Sequence, residues 1–431
     1  MDATEYGDWL RSTRRELHRR PEPAWREFYT TARIVEQLRD LDVDNIQVGP
    51  EILAEGERGG VPDQAELDRW LDQARGYDVD GDLLDRLAGG YTGAIATLDR
   101  GEGPTVALRV DIDGLPRRES EDSEHGPVAA DFRSEHEGHM HACGHDAHAT
   151  FGLGVLRAVA DSEFQGKLKV IFQPAEEVIG GGRPVARSGH LDDVDALLAA
   201  HVGLDHPTGA VVAGIDDFLA VAHFEAEFHG EGAHAGGNPN RGRNAVQAMA
   251  TAVQNLYGIA RHEDGATRVN AGDVGGGTAP NIIPEAAYIH AEVRGETTEL
   301  MEYTRERAEQ VVESAAQMHD CTSTVEAGPE APSARSDEEL VEVVADVADG
   351  SDRVETLLRR DSLGGSEDAT FLMDRVQQRG GVASYVGVGT DHPGGHHTAT
   401  FDVDEESLLV GVEVLAGAIQ RLGGADSLLS G

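Results

Sequence analysis

The chain has 431 residues, with 36 lysines plus arginines against 79 aspartates plus glutamates, giving a formal net charge of −43. That length exceeds one compact core and predicts two or three domains, while the charge disfavours nucleic acid and anionic membranes as partners. Lys167 and Lys169 are the only lysines, and acidic side chains crowd "DLDVDN" and "FDVDEE". Such a composition suits a halophile's salt-rich cytoplasm, where a Debye length of about 3 Å at ~1 M salt screens self-repulsion.

In chain order, "GDWLRSTRRELHRRPEPAWREFYTTARIVEQLRDL" has helical apolar spacing interrupted by Pro21 and Pro23, which predicts two helices. Residues 51–90 are polar and weakly periodic, with one short helix at "DQAELDRWLDQAR", and read as an insertion rather than core. The runs "YTGAIATL", "TVALRVDID", "KLKVIFQPAEE" and "DALLAAHV" are strands, and helical "ATFGLGVLRAVAD" lies between two of them. That alternation predicts an α/β fold with a mixed sheet flanked by helices.

From 218 to 329 the pattern becomes β-α-β-β-α-β, the order of a ferredoxin-like sandwich. It spans "FLAVAHFEAEFHG", "GRNAVQAMATAVQNLYGIAR", "TRVNAGDV", "AAYIHAEVRG", "TTELMEYTRERAEQVVESAAQM" and "TSTVEAG". After the linker "GPEAPSARSD" come helix "EELVEVVADVAD", strand "VASYVGVGT" and a long C-terminal helix. The expected organisation is a discontinuous domain, 1–217 with 330–431, carrying the 218–329 domain as an insert. No segment approaches 18 consecutive apolar residues, so no membrane span is expected. The start "MDATEYGDWL" lacks a basic leader and an apolar run, and Cys143 and Cys321 lie far apart, which predicts a reduced, cytoplasmic protein.

Open α/β sheets place their sites at the C-terminal ends of the strands. Those ends collect Asp111 and Asp113, Glu176 and Glu177, His201, and His396 and His397. "HMHACGHDAHAT" adds Cys143 and His145 just before a helix, whose dipole favours a thiolate at Cys143. A lone histidine is more often a satisfied core or surface residue, and His18, His125, His206, His262 and His319 take no role. Two adjacent carboxylates after a strand-ending proline are different, because their repulsion calls for a cation. Sulfur, nitrogen and oxygen donors together suit Zn²⁺, and also admit Mn²⁺, Co²⁺ or Ni²⁺. Five candidate donors exceed the four of one structural zinc site and point to two divalent metal ions sharing a bridging ligand.

"RVDIDGLP", "HACGHDAH", "QPAEE", "AAHV" and "HHTATFDVDE", in this order, resemble the M20 metallopeptidases of carboxypeptidase and aminoacylase type. The likeness is to their amidohydrolase branch of hippurate and indoleacetyl-amino-acid hydrolases, and within it "PEPAWREFYTTARIV", the 51–90 insertion and "GRNAVQAMATAVQNLYGIARHEDGATRVN" resemble the aminobenzoyl-glutamate hydrolases. The resemblance implies that Cys143 bridges two metals, that His145 and His201 complete one ion and that Glu177 and His397 complete the other. Glu176 is then the general base and acid that takes a proton from an activated water and returns it to the leaving amine. Asp111 and Asp113 are expected to orient the ligands.

The same resemblance gives His234 a place on the carbonyl oxygen in a partner's active site, and Asn281 and Arg294 the substrate's carboxylate. Asn240 stands where relatives usually carry a histidine. The implied activity is hydrolysis of an N-acyl or N-aroyl amino acid, by a homodimer formed through the inserted domain or a heteromer with a related protein. The alternatives are an aminoacylase, a dipeptidase or a non-catalytic metal-binding subunit. "GGSEDATFLM" also matches the branch, which implies proximity to the site, although a helix start capped by Ser366 explains it locally.

Overall fold

The computed structural model describes residues 6–392 and 394–424. The chain divides into two compact units, the first running to Asp216 and resuming over Arg335–Leu363 and from Glu367, the second comprising Asp217–Ala334 with Gly364–Ser366.

The first unit is built on a mixed sheet whose strand order is Asn45–Val48, Ala94–Asp99, Lys167–Gln173, Thr105–Asp111, Ala196–Val202, Val382–Val388, Ala210–Val212 and Thr356–Leu358. The four central strands from Lys167–Gln173 to Val382–Val388 run parallel, and the pairs outside them are antiparallel apart from the last. Parallel strands covered on both faces read as continuous apolar runs. Thr105–Asp111 and Ala196–Val202 are indeed buried at every position. The helix His145–Ala160 packs against the sheet through a nearly all-buried surface. Gly152 permits that approach, since a Cβ there would stand 2.7 Å from the Phe172 ring.

The two N-terminal helices are Gly7–His18 and Phe28–Arg39. Buried Glu22 accepts from the Tyr29 and Thr30 N–H groups at 3.0 and 2.8 Å, serving the first turn of the second helix. Residues 51–90 correct the expectation of a peripheral insertion with one helix. They form two helices, Gln64–Ala74 and Gly81–Leu87, started by Asp63 and Asp80 side chains that accept backbone N–H groups. Leu71, Leu83, Leu84 and Leu87 from this stretch join the main core. Their helical spacing gives each helix an apolar stripe, and the polar remainder masked it in the sequence.

The second unit has a four-stranded antiparallel sheet in the order Thr267–Gly276, Ala286–Gly295, Ala220–His229, Thr322–Ala331. Its helices Ala245–Leu256 and Thr298–Met318 share a core with the sheet, giving the β-α-β-β-α-β order. The last strand extends through Ala331 with a bulge between Ala327 and Glu330, so part of the expected linker is strand. No helix among the described residues is long and apolar enough to cross a membrane.

Candidate metal centre

The parallel strands deliver their side chains to one edge of the sheet. Thr105–Asp111 ends at Asp111 with Asp113 two residues on, Lys167–Gln173 ends before Pro174 and the Glu176–Glu177 turn, and Ala196–Val202 carries His201. Ala175 takes a left-handed conformation, φ 58°, fixed by its N–H donating to buried Glu27 at 2.8 Å. Asp113 then locks the turn, accepting from the N–H groups of Glu176 at 3.2 Å and Glu177 at 3.1 Å.

Gly144, at φ 86°, is the N-cap of His145–Ala160, so His145 is the first helical residue rather than lying ahead of the helix. Cys143 and His145 are thereby turned to the same locus. Cys143, His145 and Glu177 each place a donor atom within 4.8 Å of the others, as do Cys143, His201 and His396. The thiol is common to both groups, which is the place of a bridging ligand. His145 Nε2 lies 3.8 Å from Glu177 Oε1, His201 Nε2 3.4 Å from Cys143 Sγ, and His397 Nε2 3.7 Å from Glu177 Oε2. Two ligands of one tetrahedral ion with bonds of 2.0–2.3 Å sit roughly 3.3–3.8 Å apart, so these spacings fit shared cations.

Both pairs expected from the sequence lie close, with His145 and His201 donors within 4.8 Å and His397 3.7 Å from Glu177, and two further approaches accompany them. Glu177 approaches His145 as well, and His396 approaches the Cys143–His201 pair.

Hydrogen bonding selects among the histidines. His145 Nδ1 pairs with Asp113 at 3.1 Å and His201 Nδ1 with the Val202 carbonyl at 2.8 Å, leaving each Nε2 for the cluster. This is the outer support that metal-binding histidines use. His148 also lies within 4.8 Å of His145 and His201. Both its nitrogens are spent, however, with Nδ1 on Asp111 at 2.5 Å and Nε2 accepting the Val202 N–H at 2.8 Å, so it braces rather than ligates.

Two buried atoms test the fit of a metal directly. His145 Nε2 and Glu177 Oε1 have no hydrogen-bond partner among the described residues, an arrangement costly without a cation between such groups. Burial, with help from the Glu177 charge, pushes the Cys143 thiol up to about 12. Burial thus opposes the thiolate that the helix start favours, and a cation is what would offset it. Burial likewise carries Glu177 up to about 8. Burial, Glu367 and Glu177 together hold Glu176 well above the usual carboxylate range.

Beneath this cluster lies a polar layer that sequence reasoning missed. Arg109, fully buried in mid-strand, meets Asp111 at 2.8 Å, Glu367 at 3.0 Å and Asp368 at 3.1 Å. A charged residue inside "VALRVD" was the available signal, since a buried arginine requires partners. Ser366 does not cap a helix as expected. The helix there is Thr370–Gln378 with Ala369 at its N-cap, and the Ser366 hydroxyl donates to the Leu219 carbonyl at 2.6 Å.

The remaining predicted residues belong to the second unit. His234 is exposed, and its Nδ1 accepts from the Gly236 and Gly237 N–H groups at 3.2 and 2.9 Å, which leaves the ring proton on Nε2. Asn281 is its neighbour across a two-stranded ladder, where Ile282 faces His234 and the Asn281 carbonyl accepts from Ala235 N–H at 2.9 Å. The Arg294 fork is already filled by Glu292, at 2.9 and 3.0 Å, so a substrate carboxylate has to displace that neighbour. Asn240 is exposed.

Comparison with known proteins accords with this geometry. Residues 107–421 match peptidase family M20/M25/M40. The chain belongs to this family. It is 42% identical over 408 residues to the indole-3-acetyl-aspartic acid hydrolase of Enterobacter agglomerans, covering 94% of this chain and 93% of that protein. It is 39% identical to one of the subunits of the p-aminobenzoyl-glutamate hydrolase of Escherichia coli, again covering 94% and 93%. The crystal structure of the aminobenzoyl-glutamate utilization protein from Klebsiella pneumoniae superposes with a TM-score of 0.82 at 34% identity, over 97% of each chain.

Proposed function

We propose that Cys143, His145, Glu177, His201 and His397 hold two divalent ions, and that Glu176 serves as general base and acid in cleaving the amide of an N-acyl or N-aroyl amino acid. The protein is a hydrolase of C–N amide bonds, the activity shared by its family and its named relatives. The observation that supports the assignment of residues is that Glu176, whose carboxylate has no hydrogen-bond partner among the described residues, directly precedes Glu177 of a donor cluster with orphaned buried atoms.

Bound there, two divalent ions would neutralise the Cys143 and Glu177 charges, polarise the amide carbonyl and acidify a water. The chain's own residues do the rest. The Glu176 carboxylate accepts the water's proton and delivers it to the leaving amine nitrogen. Asp113 fixes both glutamates through their N–H groups and His145 through Nδ1. Asp111 braces His148. His234 is suited to offer its Nε2–H to the amide oxygen in a partner's active site, and Arg294 and Asn281 to bind a substrate's carboxylate, for which a planar guanidinium is suited.

An aromatic acyl group on an acidic amino acid is the leading substrate class, because the two named relatives act on indole-3-acetyl-aspartic acid and p-aminobenzoyl-glutamate. Zinc or manganese is the expected metal, with cobalt or nickel admitted by the same donors. The assembly is a homodimer through the second unit or a pairing with a related protein. The latter is supported by the Escherichia coli relative, which is itself one of the subunits of its hydrolase.

The test is metal analysis of the purified protein together with kcat/KM for p-aminobenzoyl-glutamate, indole-3-acetyl-aspartate, hippurate and dipeptides. Two equivalents of metal and a preference for the first two support the reading. A metal-free protein with full turnover sinks it.

A further inference from the structure

Glu176 has company that the proposed reaction does not use. Carboxylate oxygens of Glu176, Glu367 and Asp368 all lie within 4.8 Å of one another, and all three side chains are buried, at 9%, 5% and 0% exposure. Three carboxylates in so small a volume repel one another unless something holds two of them.

The structure shows what does. Glu367 receives Arg109 Nη2 at 3.0 Å and the Ala369 N–H at 3.3 Å on one oxygen, and the Tyr385 hydroxyl at 3.0 Å on the other. Asp368 takes Arg109 at 3.1 Å, the Gln173 amide at 2.7 Å, and the Gly181 and Gly182 N–H groups at 3.1 and 2.7 Å. Gln173 also accepts from Arg109 Nε at 2.9 Å. The guanidinium is therefore surrounded by Asp111, Gln173, Glu367 and Asp368. Glu176 alone of the three clustered carboxylates has no such anchor.

We infer that Glu367 is a positioning residue for the general base. By occupying Arg109, and by presenting a fixed negative charge towards Glu176, it denies the base a competing ion pair and keeps its carboxylate free for proton transfer. Asp368 contributes the same service at the same Nη2 nitrogen and also ties the Gly181–Gly182 backbone, just beyond the Glu176–Glu177 turn, to the strand end. This role rests on the assignment of Glu176 as the base.

Removing the charge exposes the device. Glu367→Gln removes one of the two carboxylates on Arg109 Nη2 and allows Glu176 to compete for it. The expected result is a kcat lower by about ten- to hundred-fold, a KM within about two-fold of the parent, and unchanged metal content. Diffraction from the variant should show the Glu176 carboxylate rotated onto Arg109. A kcat equal to the parent's overturns the inference, and so does a slow variant in which Glu176 has not moved. If Glu367→Gln does not fold, Asp368→Asn takes away another of the arginine's anions and is expected to lower kcat in the same way by less. A parental kcat there overturns the inference equally. Glu176→Gln is measured alongside. Normal turnover in that protein defeats the choice of base itself, whereas an inactive Glu176→Gln beside a fully active Glu367→Gln defeats only the role of Glu367.

Discussion

The two units hold their candidate residues in opposite ways. In the first, Cys143, His145, Glu176 and His201 are buried and each is fixed by its strand end, helix start or outer hydrogen bond. In the second, His234 and Asn281 are exposed on a short ladder, and Arg294 is half-buried with a neighbouring carboxylate in its fork. The contrast matches the roles proposed for each set. Charge concentrated in a small volume and a proton transferred over one hydrogen bond demand preorganisation. Selecting a substrate's anionic end tolerates a pair that opens and re-forms.

That division can be broken most sharply at Glu176. Glu176→Gln should cut kcat by about 10³-fold while metal stoichiometry stays at the parental value, whereas Glu177→Ala should lose metal, as read by elemental analysis. Retention of both ions by Glu177→Ala would dissolve the boundary between donor and base.

The rigidity claimed for the first unit has its own test at His18. Its ring is fully buried, 2.9 Å from Asp146 and 3.0 Å from Glu119. Burial opposes its charge, but the two carboxylates prevail and raise it from 6.5 to about 9. A raised folded-state value means that this stabilisation, ~3 kcal/mol at most, is fully present below about pH 6.5 and is lost as pH climbs through about 9. Denaturation measured from pH 6 to 10 should show that alkaline decline, and His18→Gln should flatten it.

For the second unit, Arg294→Ala should lower kcat/KM for carboxylate-bearing substrates about ten- to hundred-fold with no loss of metal. An equal loss for a substrate whose carboxylate is amidated would remove Arg294 from recognition. The smallest effect concerns the whole surface. With a net charge of −43, the melting temperature should rise by several degrees between dilute buffer and molar KCl, and a flat response would deny any salt requirement.

Much of this was legible in the sequence because the parallel strands are short apolar runs whose ends carry the reactive side chains. Asp113, Glu176, Glu177 and His201 could be placed from pattern alone. What escaped was long-range partnership. Arg109 and Asp368 are 259 positions apart yet hydrogen-bonded, and no local periodicity encodes such a meeting. "GGSEDATFLM" suggested proximity to the site, but helix capping explained it locally and its pattern did not show that Glu367 and Asp368 turn towards Glu176. At Cys143 the helix start was legible, but the burial that raises its thiol was not. The helices of 51–90 were hidden by their solvent-facing majority, although their leucines reach the core.

Asp113 makes the whole arrangement intolerant of a substitution usually counted as mild. Its two oxygens serve the Glu176 N–H, the Glu177 N–H and His145 Nδ1. An asparagine would keep the shape but turn one acceptor into a donor facing another donor. A single proton-bearing nitrogen would thus unsettle the proposed base, its neighbouring carboxylate and an imidazole at once, so this one short side chain couples residues that lie more than thirty positions apart.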